Sequence, residues 1–468
     1  MRASTLFALF CGLGAAVIAA SLPASDSDLF WHLQSGDLMI DRGELLRTDP
    51  FSYTRFGTPY SVGAWLAEIV YAGVFRALSW TGVDLLRGLL IGIAVFFTAR
   101  AVLRLQRHPA WAFPPLVLAI LVSKPDWGDR PQLFTLALFP IFLDVLLRTR
   151  LTGKTRQLWA LPFLVLLWAN LHGAFVIGIA LVLLFAVEAI HARLAIQRPL
   201  ALVSLLCVVA GLATPAFWRA YYAAGSYATG PSRGGVLEEQ PADVLSGGGA
   251  AFAILLALAL VLALLPKRRD AAVALDAPLL WSLLIVPFTL LGLAIQRQLP
   301  FAAFILAPYV AAHLPAAFGR PIARVPRLPR KAALPIALVA VSAAVAAMFA
   351  VAPRQADLSA YPVAAEPILR REAGNVLAEY DWGGWLIRYA PSVPTFVDGR
   401  GATLFAPDVL ADWDDAVALR PPYREILDGY DVRIVLLRPT RPLAIALRES
   451  GWKVLGEARD AWVLLERP

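Results

Sequence analysis

The chain has 468 residues, of which 59% are apolar and only 16% charged, with a mean hydropathy of +0.65. A soluble globular protein carries about 25% charged residues, so this composition excludes a secreted or cytosolic enzyme, and equally a disordered chain or a disulfide scaffold. The net charge of +8 hides a split: residues 353–468 hold 17 of the 34 acids and 14 of the 42 bases, which leaves the preceding part strongly basic.

The apolar residues fall in blocks near the length of a bilayer-spanning helix, the signature of a polytopic α-helical membrane protein. Predicted spans are residues 4–22, 83–103, 109–123, 131–148, 157–171, 174–193, 199–217, 249–266, 278–295, 299–318 and 332–352. Ala64–Trp80 is half apolar but contains Glu68 and Arg76, and reads as a juxtamembrane or re-entrant helix. On that reading there are eleven spans; counting the stretch as a crossing makes twelve. Cytoplasmic loops accumulate Lys and Arg, and this decides the count. With eleven spans and a cytoplasmic N-terminus, every inner loop is basic, from Arg100/Arg104/Arg107 to Arg320/Arg324/Arg327/Arg330/Lys331. The basic excess therefore reads as an orientation signal, with no nucleic-acid partner expected. The first apolar run has a second reading, a signal peptide cleaved near Ala19 or Ser21, which leaves the later topology unchanged. Cys11 and Cys207 lie inside apolar blocks and read as small packing residues.

The expected organisation is a transmembrane module over 1–352 with outer loops 23–82, 123–131 and 218–248, followed by a soluble α/β domain over 353–468. In that tail, strand-like runs (VLAEY, PTFVD, VRIVLL, WKVLGEA, AWVLLE) alternate with helix-like ones (VAAEPILRREA, RPLAIALRES). Glycines 247–249 read as a hinge or loop.

Polar residues at the ends of membrane spans are candidate sites. Asp26 and Asp28 directly follow the first span, with His32 one helical turn beyond Asp28. Two carboxylates so spaced suit a shared metal or a general base, and equally a solvated helix cap with Trp31 at the interface. Lys124, Asp126, Asp129 and Arg130 in the second outer loop read as surface ion pairs or as part of a site on the same face. Glu238 and Glu239 add acids from the third outer loop. Arg297 stands alone at an outer end, where its guanidinium fork suits a phosphate or snorkels to headgroups. His172, in WANLHG, is a packed histidine or a ligand. In the tail, Asp398-Gly399-Arg400 is a turn pair or a ligand loop. The histidines and cysteines lack zinc spacing.

These stretches resemble the C-type (GT-C) membrane glycosyltransferase superfamily, close to a bacterial multispan group within it. The resemblance rests on DSDLFWHLQSGDLMIDRGELLRTDPFSYT, GDRPQLFTLAL, WANLHGAFVIG, EEQP, RQLPFAAF, YDWGGWLI and FVDGR, and extends over nearly the whole chain. It implies a sugar transferred from a polyprenyl-phosphate donor to a glycan, lipid or protein acceptor at the periplasmic face of a bacterial inner membrane. It also implies that Asp28, then Asp26, serves the acceptor or a divalent cation such as Mg or Mn. Asp126 or Asp129, and Glu238 or Glu239, would supply further acids, with Arg297 meeting the lipid phosphate. The chain departs from the superfamily's pattern in lacking an Asp-Glu pair after the first span and a WWDYG-type acceptor motif, so acceptor identity does not carry over. Two other functions compete: a lipid-sugar or polysaccharide transporter, and a non-catalytic envelope assembly protein.

Overall fold

The computed structural model describes residues 3–60, 63–229, 240–265, 275–319, 332–372, 374–405 and 407–468. The chain forms two compact units, one made of Met1–Leu22 with Thr81–Pro353 and the other of Pro23–Trp80 with Arg354–Pro468. This corrects the expected organisation at one place: residues 23–80 fold with the tail instead of forming a loop of the membrane module. The long helix Trp65–Leu105 passes from one unit to the other and is broken at Ser79, which has φ 54° and ψ −147°. A non-glycine residue in that region costs about 1–3 kcal/mol. The break separates the half-polar stretch with Glu68 and Arg76 from the apolar run that begins near Val83.

In the first unit, helices occupy each segment predicted to span. They are Ala3–Ala20, the part of Trp65–Leu105 beyond Ser79, Pro109–Ser123, Gln132–Thr152, Leu161–Leu171, Phe175–His191, Gln197–Ala210, Gly247–Leu264, Pro278–Ala294, Leu299–Phe318 and Ala333–Val351. Among the described residues, six helices are long and apolar enough to cross a membrane by length and composition, which makes this a multi-pass membrane protein. The glycines expected to form a hinge instead begin the Gly247–Leu264 helix.

Close packing follows from small residues. Gly88 and Gly92 form a GxxxG pair facing Gly12 and Ala16 on the first helix. A Cβ at Gly88 would lie 2.7 Å from the Ala16 carbonyl oxygen, and one at Gly12 2.8 Å from that of Gly92. Within a bilayer, such backbone approach replaces the hydrophobic drive that lipid cannot supply. The buried acids on the helices of this unit are paired. Asp144 accepts from Arg104 Nε at 2.6 Å, and Glu188 from Arg150 Nη2 at 2.8 Å, both arginines belonging to predicted inner loops.

The second unit is built on a four-stranded sheet in the order β1 (Asn375–Ala378), β2 (Val432–Leu437), β4 (Trp462–Glu466), β3 (Lys453–Ala458). β1 and β2 are parallel; the other pairs are antiparallel. The PTFVD run, expected as a strand, forms only isolated bridges. Thr395 pairs with Val376 of β1 on one side and with Ser52 on the other. Backbone bonds Tyr53 N to Thr395 O (3.1 Å) and Thr395 N to Phe51 O (3.2 Å) thus add the TDPFSYT segment to the sheet region. Ser27–Arg42 is an amphipathic helix, capped by the Asp26 carboxylate at its start and by Gly43 at φ 66° at its end.

Arg400 fastens these pieces together. It is 3% exposed and hydrogen-bonds Asp398 through Nε at 2.7 Å and Nη2 at 2.6 Å, while Nη1 bonds Asp49. Its guanidinium lies 5.1–5.6 Å from the ring centres of Phe51, Tyr60 and Phe405. Burial alone would favour losing the charge, but the two carboxylates outweigh it and raise the pKa, so the group stays cationic. Asp398-Gly399-Arg400 is therefore a turn pair extended to a third, distant residue. Arg400→Met would leave two buried carboxylates without their cation, a loss of about 3–5 kcal/mol. We expect a lower melting temperature for the purified variant; wild-type melting would show that the pair contributes nothing.

Candidate active site

In the second unit, three of the motifs meet at the start of the Ser27–Arg42 helix. Asp26 accepts the Asp28 amide at 3.0 Å, and Asp28 Oδ1 accepts from Trp31 Nε1 at 3.2 Å. Around them lie the two glycine motifs of the tail. A Cβ at Gly384 of YDWGGWLI would overlap the Ser27 carbonyl, and one at Gly399 of FVDGR would overlap the Asp28 carboxylate. Only glycine lets these backbones approach so closely. Tyr361 donates to the Ser25 carbonyl at 3.0 Å; burial raises its pKa, and the charges of Asp26, Asp381, Asp28 and Asp357 raise it further. Asp28 is half-buried in this acidic corner, and a carboxylate is a group that can accept a proton from a hydroxyl.

His32, one helical turn beyond Asp28, points into the unit. It is 6% exposed, its Nδ1 lies 3.0 Å from Glu68 Oε1, and its ring lies against Trp31 with centroids 3.5 Å apart and planes tilted by 34°. A Cβ at Gly36 would overlap the Glu68 carbonyl, so the helices carrying the pair touch backbone to backbone.

In the first unit, the loop over 123–131 is organised by a residue that sequence reasoning passed over. Arg87 is 1% exposed and bonds Asp84 Oδ1 at 2.7 Å, Asp129, the Ala19 carbonyl at 2.9 Å and the Leu22 carbonyl. The signal was present: Asp84 and Arg87 stand three apart in an apolar run, on one helical face. Asp129 is thus committed to an ion pair, and Asp126 accepts from Gln132 Nε2 at 3.0 Å. Both acids are buried, so the expected surface ion pairs are instead parts of the fold.

His172 follows the Leu161–Leu171 helix and sits outside it as its C-terminal cap. Its Nδ1 lies 2.9 Å from Thr135 Oγ1, which also accepts from Trp168 Nε1 at 2.8 Å. Burial, then the charges of Arg297 and Arg130, push its pKa down to about 3. The three residues thus share one electrostatic neighbourhood, in which the arginines carry the charge and the imidazole stays neutral. Arg297 is placed by a short turn whose Gln296 amide donates to Gln240 O at 2.9 Å, joining the RQLPF and EEQP motifs. Glu238 and Glu239 lie outside the described residues. Among those described, no group of three or more His, Cys, Asp or Glu is placed to hold a metal ion.

A histidine with a depressed pKa stabilises the fold above its ordinary value of 6.5 and loses that contribution as pH falls toward 3. His172→Asn should melt with a shallower dependence on pH over that window. Identical pH–melting curves for variant and wild type would contradict the assignment.

No protein-family model matches the chain, and no curated protein matches it in sequence. Solved structures do. The oligosaccharyltransferase AglB from Archaeoglobus fulgidus, in complex with an inhibitory peptide and a dolichol-phosphate, superposes with a TM-score of 0.57 at 13% identity, over 93% of this chain and 69% of that one. The oligosaccharyltransferase of the same organism tethered to an acceptor peptide gives the same values. ArnT from Cupriavidus metallidurans in the apo state superposes with a TM-score of 0.51 at 14% identity, over 98% of this chain and 97% of that one. The chain has the fold of the GT-C membrane glycosyltransferases.

Proposed function

We propose that the protein transfers a sugar from a polyprenyl-phosphate-linked donor to an acceptor hydroxyl or amide at the periplasmic face of a bacterial inner membrane. The reading is carried by one observation above the rest: motifs from opposite ends of the chain enclose Asp28 within a GT-C fold. Two similar structures hold a dolichol-phosphate and an acceptor peptide, respectively, which supports a lipid donor and a separate acceptor. The positive-inside topology puts Asp28, Arg130 and Arg297 on the same predicted outer side.

In the proposed step, the acceptor oxygen or nitrogen attacks the anomeric carbon and forms the new glycosidic bond. The bond from that carbon to the phosphate oxygen breaks, and the polyprenyl phosphate leaves with the bonding pair. Asp28 takes the acceptor proton. Arg297 and Arg130 stabilise the negative charge that develops on the departing phosphate, which a neutral His172 cannot do. Asp26 acts as a positioning residue through its cap on Asp28. Glu238 and Glu239 would supply further acids to the site.

A transporter would carry unpaired charge along a path through the bilayer. Here Asp84, Asp144 and Glu188 are each paired with arginine, which favours the transferase.

Asp28→Asn keeps the shape and the acceptor for Trp31 while removing the base. It should lower kcat by about 100-fold or more in membranes supplied with lipid-linked sugar, with melting unchanged; full activity would sink the assignment. Arg297→Ala should raise the KM for the lipid donor and lower kcat, whereas an unchanged donor KM would remove Arg297 from the phosphate site.

A further inference from the structure

The second unit contains a cleft of about 860 Å³, lined in part by Gln34, Asp37 and Asp41 of the Ser27–Arg42 helix, Arg76 of the helix that ends at Ser79, and Arg388 of the Gly383–Tyr389 helix. It is a wide, open cleft. It shares no lining residue with the Asp28 corner described above.

The polar groups are built into place. Asp37 lies at the base, its side chain 16% exposed, and accepts from Arg76 Nε at 2.6 Å and from Arg388 Nη1 at 2.5 Å. Arg388 Nη1 also donates to Gln34 Oε1 at 3.0 Å, and its guanidinium lies 5.0 Å from the centre of the Phe75 ring. At the rim, Arg76 Nη2 bonds Asp41 at 2.7 Å. Ser79 contributes the wall at which the long helix breaks, in a backbone region that L-residues rarely adopt.

Two features select the ligand class. The lining holds two carboxylates and two guanidinium groups, so the cleft has no net charge with which to favour an anion or a cation. It also presents fixed acceptors beside fixed donors, together with an amide and an aromatic ring. Paired donors and acceptors of this kind match vicinal hydroxyl groups, each of which donates and accepts one bond. We propose that this cleft binds a neutral glycan segment, separate from the reacting centre. The inference rests on the sugar-transferase reading for its biological setting, since the glycan could come from the acceptor or from the saccharide of the lipid-linked donor.

The test is direct binding, which needs no transfer. The full-length protein in nanodiscs is probed with a panel of neutral oligosaccharides of hexose, deoxyhexose, pentose and N-acetylhexosamine units, alongside sialylated and phosphorylated counterparts. We expect saturable binding of at least one neutral member, weakened tenfold or more in Gln34→Ala and in Asp41→Ala. These changes lie at the cleft and leave the Asp37–Arg388 pair in place, and melting curves verify that both variants fold. Competition by lipid-linked sugar assigns the site to the donor; its absence assigns it to the acceptor. No binding by any neutral member, equal binding by both variants, or preference for the charged glycans would overturn the proposal. Wild-type binding by Asp28→Asn together with wild-type transfer would instead remove the catalytic role of Asp28 and leave the cleft standing.

Discussion

A guanidinium buried between two carboxylates that are far apart in sequence fixes the second unit. Arg400 belongs to the tail and Asp49 to the segment after the first helix, 351 positions earlier. A buried cation with one partner removed is strongly unfavourable, so neither segment reaches this arrangement without the other. Asp49 is itself set by the Phe51 amide at 3.0 Å and the Ser52 amide at 3.2 Å, and the same turn directs Tyr53 to Thr395. The helix bearing Asp28 is thereby held against FVDGR and YDWGGWLI, and the acidic corner exists because the unit is discontinuous.

The first unit solves a related problem with different chemistry. A helix that ends near Leu22 exposes carbonyl groups that lipid cannot satisfy. Arg87 takes the Ala19 and Leu22 carbonyls while pairing with Asp84 and Asp129. One side chain thus caps the first helix and anchors the loop over 123–131. The glycine seam lets this happen, since Gly88 and Gly92 bring the Arg87-bearing helix against the first helix closely enough for the guanidinium to reach those carbonyls.

The sequence made the helical segments legible because a bilayer imposes length and apolarity on each one separately, a local signal. The tail's β1, β2, β3 and β4 were legible for the same reason, through their apolar runs. PTFVD misled because Thr395 joins two segments through single bridges, a relation set by Ser52 and Val376 and not by its own composition. What could not be read was partnership at a distance. Asp28 and FVDGR each stand out in the sequence, but nothing local tells that Gly399 is small in order to admit the distant Asp28 carboxylate. His32 was placed on the face of Asp28 by helical spacing, whereas Glu68 draws it inward.

Those burials also sort the polar residues by what they are able to do. Asp129, His32 and Asp126 are held within the fold by Arg87, Glu68 and Gln132. Asp28 is half-buried, and Arg130 and Arg297 are likewise only partly covered. The burial of His172 beside those arginines keeps it uncharged, which leaves positive charge on groups that do not titrate near neutral pH.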